Sequence, residues 1–286
     1  MIKEPNFLIG GAGTAGTSFL SSILMQKPEV YLPKNMRPEP HFFYKSWEFK
    51  KGKNYYLNKW FKNAPKDKIA IGERSSSYLF GSAEVANKIY SYYPRMKFIF
   101  VLRNPYERAW ANYRFTALNG LENLSFIESI KVEYSRLKKL NRKWSEIKPY
   151  SYVGRSLYGA QLKSYFAKFK DEQILTIKSE NLSLNTIKEL KSIFKFLNVP
   201  YNNFKYENAK DFTSLSIIDP KIQFELRKYF GLKFDKIIES LRKKQNLKKY
   251  IKNDIDQTKI DILKNNLKTS KDKLPLKSIE VLRNYF

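Results

Sequence analysis

Residues 6–20 read Asn6-Phe7-Leu8-Ile9-Gly10-Gly11-Ala12-Gly13-Thr14-Ala15-Gly16-Thr17-Ser18-Phe19-Leu20, an apolar run that breaks into glycines and resumes with helical periodicity. The pattern predicts strand, tight turn and helix. Glycines let the backbone turn sharply and bring several N–H groups towards one point, and a helix beginning near Gly16 adds its positive end. Such a site suits a phosphate. The segment from Gly11 to Ser18 fits G-x-x-x-x-G-K-[ST] at each fixed place but one, where Thr17 replaces the lysine that reaches the outer phosphates of a nucleoside triphosphate. A bland βα turn with spare glycines would not need the Thr17-Ser18 pair just inside the helix start.

The rest of the 286 residues alternates in the same way. The first helix is expected to end near Met25, residues 28–32 to be extended, and 33–40 to form a proline-punctuated loop holding Lys34, Arg37 and Glu39. Helices are predicted over 54–63, 83–93, 124–140, 158–169 and 187–197. Strands are predicted over 69–72, 97–102 and 173–178, with 73–77 read as a polar loop. The run Lys97-Phe98-Ile99-Phe100-Val101-Leu102 is continuous rather than alternating, which suits a strand covered on both faces. This alternation predicts an α/β fold: a P-loop-like, doubly wound parallel sheet flanked by helices, its ligand crevice at the carboxyl ends of the strands. The 42% hydrophobic content suffices for a sizeable core. Residues 1–230 are expected to form the α/β domain. Residues 231–286 read as a lysine-rich, helical C-terminal extension, peripheral and poor in core residues over 230–273.

Composition excludes several chemistries. No cysteine is present, which removes disulfides, thiolate catalysis and cysteine-held metal, and His41 is the one histidine. The expectation is a site without metal. Lys and Arg number 54 against 27 acidic residues, a formal charge of +27 that draws polyanions without choosing among nucleic acid, acidic glycan, lipid headgroup and phosphorylated cofactor. No stretch of 18 apolar residues or signal-peptide pattern occurs, so a soluble, cytoplasmic protein without a transmembrane segment is expected.

In this order the segments resemble the sulfotransferases that use 3′-phosphoadenosine 5′-phosphosulfate (PAPS), especially their heparan-sulfate-like and bacterial glycan branch. Residues 7–20 look like the family's 5′-phosphosulfate loop. Glu39-Pro40-His41-Phe42-Phe43 looks like its acceptor-side Lys-Glu-x-His-Phe-Phe segment, and Gly72-Glu73-Arg74-Ser75 is similar to its Gly-Glu-Lys-[Thr/Ser] motif. Residues 98–113 are similar to its 3′-phosphate segment, Leu-Arg-[Asp/Asn]-Pro-x-x-Arg-Ala-x-Ser-x-Tyr. Tyr158-Gly159-Ala160-Gln161-Leu162 and Glu180-Asn181-Leu182 follow in the family's order.

The resemblance implies a PAPS donor, a PAP product and a hydroxyl acceptor, carbohydrate or lipid and possibly anionic, with no specific nucleic acid. It assigns Gly13, Thr14, Ala15, Gly16, Thr17 and Ser18 to the phosphosulfate, and Arg103 and Ala111 to the 3′-phosphate. Glu39 takes the place of the base with His41 beside it, and Arg37, Arg74 and Tyr158 are expected on the acceptor side. Three positions depart from the family: Thr14 and Pro38 stand where it has a basic residue, and Ala111 where it has serine. Those departures leave room for a PAP-binding relative impaired in turnover, with Lys34 or Arg37 as candidate replacements for the charge missing at Thr14. A P-loop kinase or NTPase is the rival from another class. Thr17 disfavours it, as does Arg103 at a strand end where an acidic Mg²⁺ ligand would be needed. A nucleic-acid-binding protein is permitted by charge but supported by no motif.

Overall fold

The apolar run is strand β1 (Phe7–Gly11), and the segment beyond its glycines is a helix, Thr17–Leu24. The computed structural model describes residues 2–34, 36, 38–207, 215–243, 257–269 and 273–286; Arg37 lies outside them. Four further strands join β1 in one parallel sheet: β2 (Val30–Tyr31), β3 (Ala70–Arg74), β4 (Lys97–Leu102) and β5 (Ile174–Lys178), in the order β2-β3-β1-β4-β5. Every residue of β1 and β3 is buried. Because successive side chains point to opposite faces, both faces of the sheet are covered. The strand order reverses beside β1, with β3 and β2 on one side and β4 and β5 on the other. A parallel sheet places its ligand crevice at the carboxyl ends of strands at such a reversal.

Two local expectations change. Residues 73 and 74 belong to β3 rather than to a loop, because Leu8 pairs with Glu73 and Ile9 with Arg74 in the ladder. Polar residues sit inside this strand because each finds a buried partner. The helix expected from residue 83 begins at Tyr78 and runs to Tyr92, with a break at Ser82 (φ 50°, ψ −132°) that separates the first turn from the part legible in sequence.

Contacts divide the described chain into two compact units, each discontinuous in sequence. The first comprises Met1–Asn104 and Leu157–Ala209 and holds the whole parallel sheet. Its core carries an aromatic cluster in which Phe42 stacks on Tyr56 at 4.4 Å between ring centroids and meets Phe43 edge-on at 5.0 Å. The second unit comprises Pro105–Ser156 and Lys210–Phe286. In it Arg108, fully buried, donates to the carbonyl of Tyr152, to Ser156 Oγ and, at 3.0 Å, to Asn112 Oδ1. Strands β6 (Leu215–Ile217) and β7 (Leu267–Thr269) form an antiparallel pair that the sequence did not disclose.

Residues 230–273 contribute more to the interior than their lysine content suggests. Phe234, Ile237, Ile238, Ile260 and Leu263 are buried in one apolar cluster with Leu226 and Phe230. Their spacing puts the apolar side chains on one helical stripe, so the lysines occupy the other faces. Residues 230 and 231 both belong to the second unit. Among the described residues no helix is long and apolar enough to cross a membrane.

Candidate functional site

Gly16 precedes the helix Thr17–Leu24 with φ 100°, a conformation that side chains rarely adopt, and no side chain caps that helix start. A Cβ placed on Gly16 would approach Ser179 Oγ to 3.5 Å, and one on Gly13 would lie 3.8 Å from Ser76 Oγ. Both are ordinary van der Waals separations, so it is the positive φ of Gly16, rather than crowding, that calls for glycine here. The N–H of Ala12 goes to the Val101 carbonyl and that of Leu20 to Gly16, while Gly16 and Ser18 are exposed. With Gly16 and Ser18 exposed, this helix start turns its N–H groups and positive dipole end towards a position that an anion could take. Thr14, Ala15 and Thr17 complete the loop, with Thr14 at φ 62° and its hydroxyl donating to the Gly13 carbonyl at 2.6 Å.

Arg74, at the carboxyl end of β3, joins this loop to the proline-punctuated one. Its Nη1 donates to Ser18 Oγ at 2.9 Å and also to Glu39 Oε1; Nη2 reaches the Met36 carbonyl at 3.4 Å. The guanidinium is buried, and Glu39 is largely so. The other oxygen of Glu39, Oε2, accepts from Ser76 N at 2.7 Å and Ser76 Oγ at 2.8 Å, and lies 3.3 Å from His41 Nε2. One carboxylate is thus held between a guanidinium and an imidazole, and the same guanidinium reaches the glycine-rich turn through Ser18. Of the residues singled out in sequence, the fold brings together Ser18, Glu39, His41 and Arg74.

Beneath them lies a polar cluster that sequence reading missed. Glu73 is fully buried; its Oε1 accepts from Tyr78 OH at 2.6 Å and Tyr56 OH at 3.2 Å, and its Oε2 from Ser75 Oγ at 2.8 Å. Burial pushes its carboxyl up to about 7, against the pull of these donors towards the charged form. The Tyr56 and Tyr78 hydroxyls are likewise driven up by burial. Ser75 Oγ in turn accepts the backbone N–H of His41 at 2.7 Å, and His41 has φ 47°. Ser76 was also passed over, because a run of three serines reads as an ordinary turn; its function as the second clamp on Glu39 depends on a partner 37 residues away.

Arg103 follows the carboxyl end of β4, half-buried, and its backbone carbonyl accepts from Tyr158 OH at 3.1 Å. The next residue, Asn104, donates its N–H to Glu180 Oε1 at 3.1 Å. Tyr158, expected on the acceptor side, therefore braces the backbone of Arg103. Ala111 lies on the helix Pro105–Leu118 of the second unit. Among the described residues no three His, Cys, Asp or Glu side chains gather as a metal site.

Comparison with known proteins gives a consistent result. Residues 4–274 match the model of the sulfotransferase domain family. The chain is 26% identical over 254 residues to the bifunctional heparan sulfate N-deacetylase/N-sulfotransferase 1 of Caenorhabditis briggsae, covering 84% of this chain but only 28% of that enzyme. It is also 26% identical over 251 residues to human heparan sulfate glucosamine 3-O-sulfotransferase 5, covering 79% of this chain and 69% of the relative. The crystal structure of a sulfotransferase from Alicyclobacillus acidocaldarius superposes with a TM-score of 0.63 at 26% identity, over 87% of this chain and 99% of that one.

Proposed function

The chain belongs to the sulfotransferase family, and from that premise we propose that it transfers a sulfuryl group from PAPS, the family's general donor, to a hydroxyl of a carbohydrate or glycolipid. The observation that carries this reading is the bridge from Ser18 through Arg74 to Glu39, which ties an anion-binding helix start to a carboxylate clamped by several donors. The residues present fit the donor: the open, glycine-lined turn from Gly13 to Ser18 would receive its 5′ end, and Arg103 its 3′-phosphate, to which a guanidinium is matched in two-pronged fashion. When bound, PAPS supplies an SO₃ unit on a phosphate leaving group.

The chain's own groups divide the remaining work. Glu39 accepts the proton of the acceptor hydroxyl, and His41, 3.3 Å from Oε2, orients it. The N–H groups of the helix start stabilise charge that grows on the phosphate side. Thr14 leaves the loop without the cation usual in the family, and Arg74, already on Ser18, takes that role. The heparan sulfate relatives favour an anionic glycan as acceptor. Residues 1–230 are assigned to the sulfotransferase domain and 231–286 to a basic helical part that assists with such an acceptor.

A second reading, a PAP-binding relative without useful turnover, is favoured by Thr14, Pro38 and Ala111. Affinity for PAP measured beside ATP tests both against a kinase: tight PAP binding with none for ATP is expected, and the reverse would overturn the assignment. Turnover separates the two sulfotransferase readings. Glu39→Gln preserves size but cannot take the proton, so sulfuryl transfer should fall by about 10²–10⁴-fold with PAP affinity nearly unchanged. Undiminished transfer would remove Glu39 from the mechanism.

A further inference from the structure

His41 holds a backbone conformation that a residue with a Cβ seldom adopts, φ 47°, and its side chain is the one that meets Glu39 Oε2. Such a conformation persists only where surrounding contacts impose it. On the carboxyl side, the His41 carbonyl accepts from the N–H groups of Tyr44 at 3.1 Å and Lys45 at 2.9 Å. On the amino side, its N–H donates to Ser75 Oγ at 2.7 Å. A serine hydroxyl rotates freely unless its proton is claimed, and here Glu73 Oε2 claims it at 2.8 Å, leaving a lone pair for the His41 N–H. Glu73 is itself fixed by Tyr56 OH from the helix Gly52–Trp60 and by Tyr78 OH from the helix Tyr78–Tyr92.

Ser75 and Glu73 are both completely shielded from solvent, so neither side chain is open to donor or acceptor. A carboxyl at the centre of a core is costly compared with an apolar residue of similar volume, and this one has its oxygens committed to three hydroxyls. The cost is understandable if the cluster fixes the geometry of something above it. We propose that Glu73 and Ser75 are positioning residues: the buried Tyr56/Tyr78–Glu73–Ser75 chain locks the backbone of His41 and thereby sets the His41–Glu39 pair for proton transfer. The groups facing Glu73 are the two tyrosine hydroxyls, the Ser75 hydroxyl and, farther off, the Glu39 carboxylate. The catalytic part of the inference rests on the sulfotransferase reading; the coupling of Ser75 to the His41–Glu39 pair does not.

His41 is the only histidine, so its imidazole resonances are identifiable by NMR without further assignment. Glu39→Gln should alter the His41 titration in the wild-type background and alter it by clearly less in a Ser75→Ala background, because the pair is no longer held. Transfer in Ser75→Ala should fall by about 10–100-fold, the scale of a small misplacement, while PAP affinity stays within about twofold. If Ser75→Ala does not fold, Ser75→Cys keeps the volume with a poor acceptor and should move both readouts in the same direction. Glu73→Gln, whose amide oxygen can still accept from the Ser75 hydroxyl, should retain more of the His41–Glu39 coupling than Ser75→Ala. An undiminished coupling in Ser75→Ala or Ser75→Cys would overturn the proposal. Absence of PAP binding by the wild type would instead overturn the sulfotransferase reading, and the NMR comparison would still judge the positioning.

Discussion

Tyr158 places its hydroxyl 3.1 Å from the backbone carbonyl of Arg103, so a side chain on one helix steadies the residue that follows a strand elsewhere in the chain. Arg103→Ala should weaken PAP binding by about 1.5–3 kcal/mol, the scale of a charge-assisted hydrogen bond, with a smaller loss for AMP, which lacks the 3′-phosphate. Tyr158→Phe removes only the brace and should cost PAP about 0.5–1.5 kcal/mol. Calorimetric titration of the two nucleotides checks both; equal losses for PAP and AMP in Arg103→Ala would show that this guanidinium does not read the 3′-phosphate.

In the proposed mechanism Arg74 supplies the cation that Thr14 lacks, which links the two positions. Arg74→Ala should lower sulfuryl transfer by about 10²-fold or more, consistent with loss of charge stabilisation at a shielded site. Thr14→Lys, which restores the family's residue, should recover part of that loss in the Arg74→Ala background. Steady-state rates of the two single variants and the double variant test the link. No recovery would mean that the two side chains act at different atoms.

The buried carboxyl of Glu73 makes stability depend on pH. Its folded pKa, about 7, lies above the ordinary value of 4.5, so the folded chain binds more protons between those limits. Stability should therefore fall as pH rises from about 4.5 to about 7 and then level off, by at most about 3.5 kcal/mol from this group at roughly 1.4 kcal/mol per unit. Burial raises the Glu133 carboxyl as well, so the informative quantity is the difference between wild type and Glu73→Gln. Urea midpoints at pH 5 and pH 7.5 should lie closer together in the variant. Equal separations would show that Glu73 titrates as an ordinary carboxylate.

Gly72 has no room for a side chain: a Cβ there would sit 2.4 Å from the Phe7 carbonyl oxygen in the adjacent strand. Since the obstruction is backbone, Gly72→Ala must separate β1 from β3 and should destabilise the chain by about 1–3 kcal/mol or more. Thermal unfolding should register a drop of several degrees. An unchanged midpoint would contradict the observed register of Phe7 against Gly72.

What could be read from sequence was whatever repeats locally. The continuous run from Lys97 to Leu102 matches β4 residue for residue, and the helix ending before Asn198 closes with that residue in the left-handed conformation (φ 58°), as its type suggests. The strand–turn–helix around Gly11 to Gly16 was legible because glycine spacing is itself local. Glu73 and Arg74 were misread as loop because their polarity argues against a buried strand, and only partners distant in sequence, Tyr56 and Glu39 among them, make burial tolerable. The β6–β7 pair was hidden for the same reason, since Leu215–Ile217 and Leu267–Thr269 are too short to show a period and meet across some fifty residues.

The order of strands in the sheet also sets an order in time. β4 ends at Leu102, and β5, which covers its outer edge, begins at Ile174. On a ribosome adding roughly 5–20 residues per second, the Phe98–Val101 backbone edge stays unpaired for roughly 4–14 s after it is made. An apolar strand with a free edge is a template for pairing with other chains. The nascent protein is accordingly most vulnerable to aggregation in the interval between synthesis of β4 and of β5, and its yield should respond to chaperone supply and elongation rate more than to the stability of the folded state.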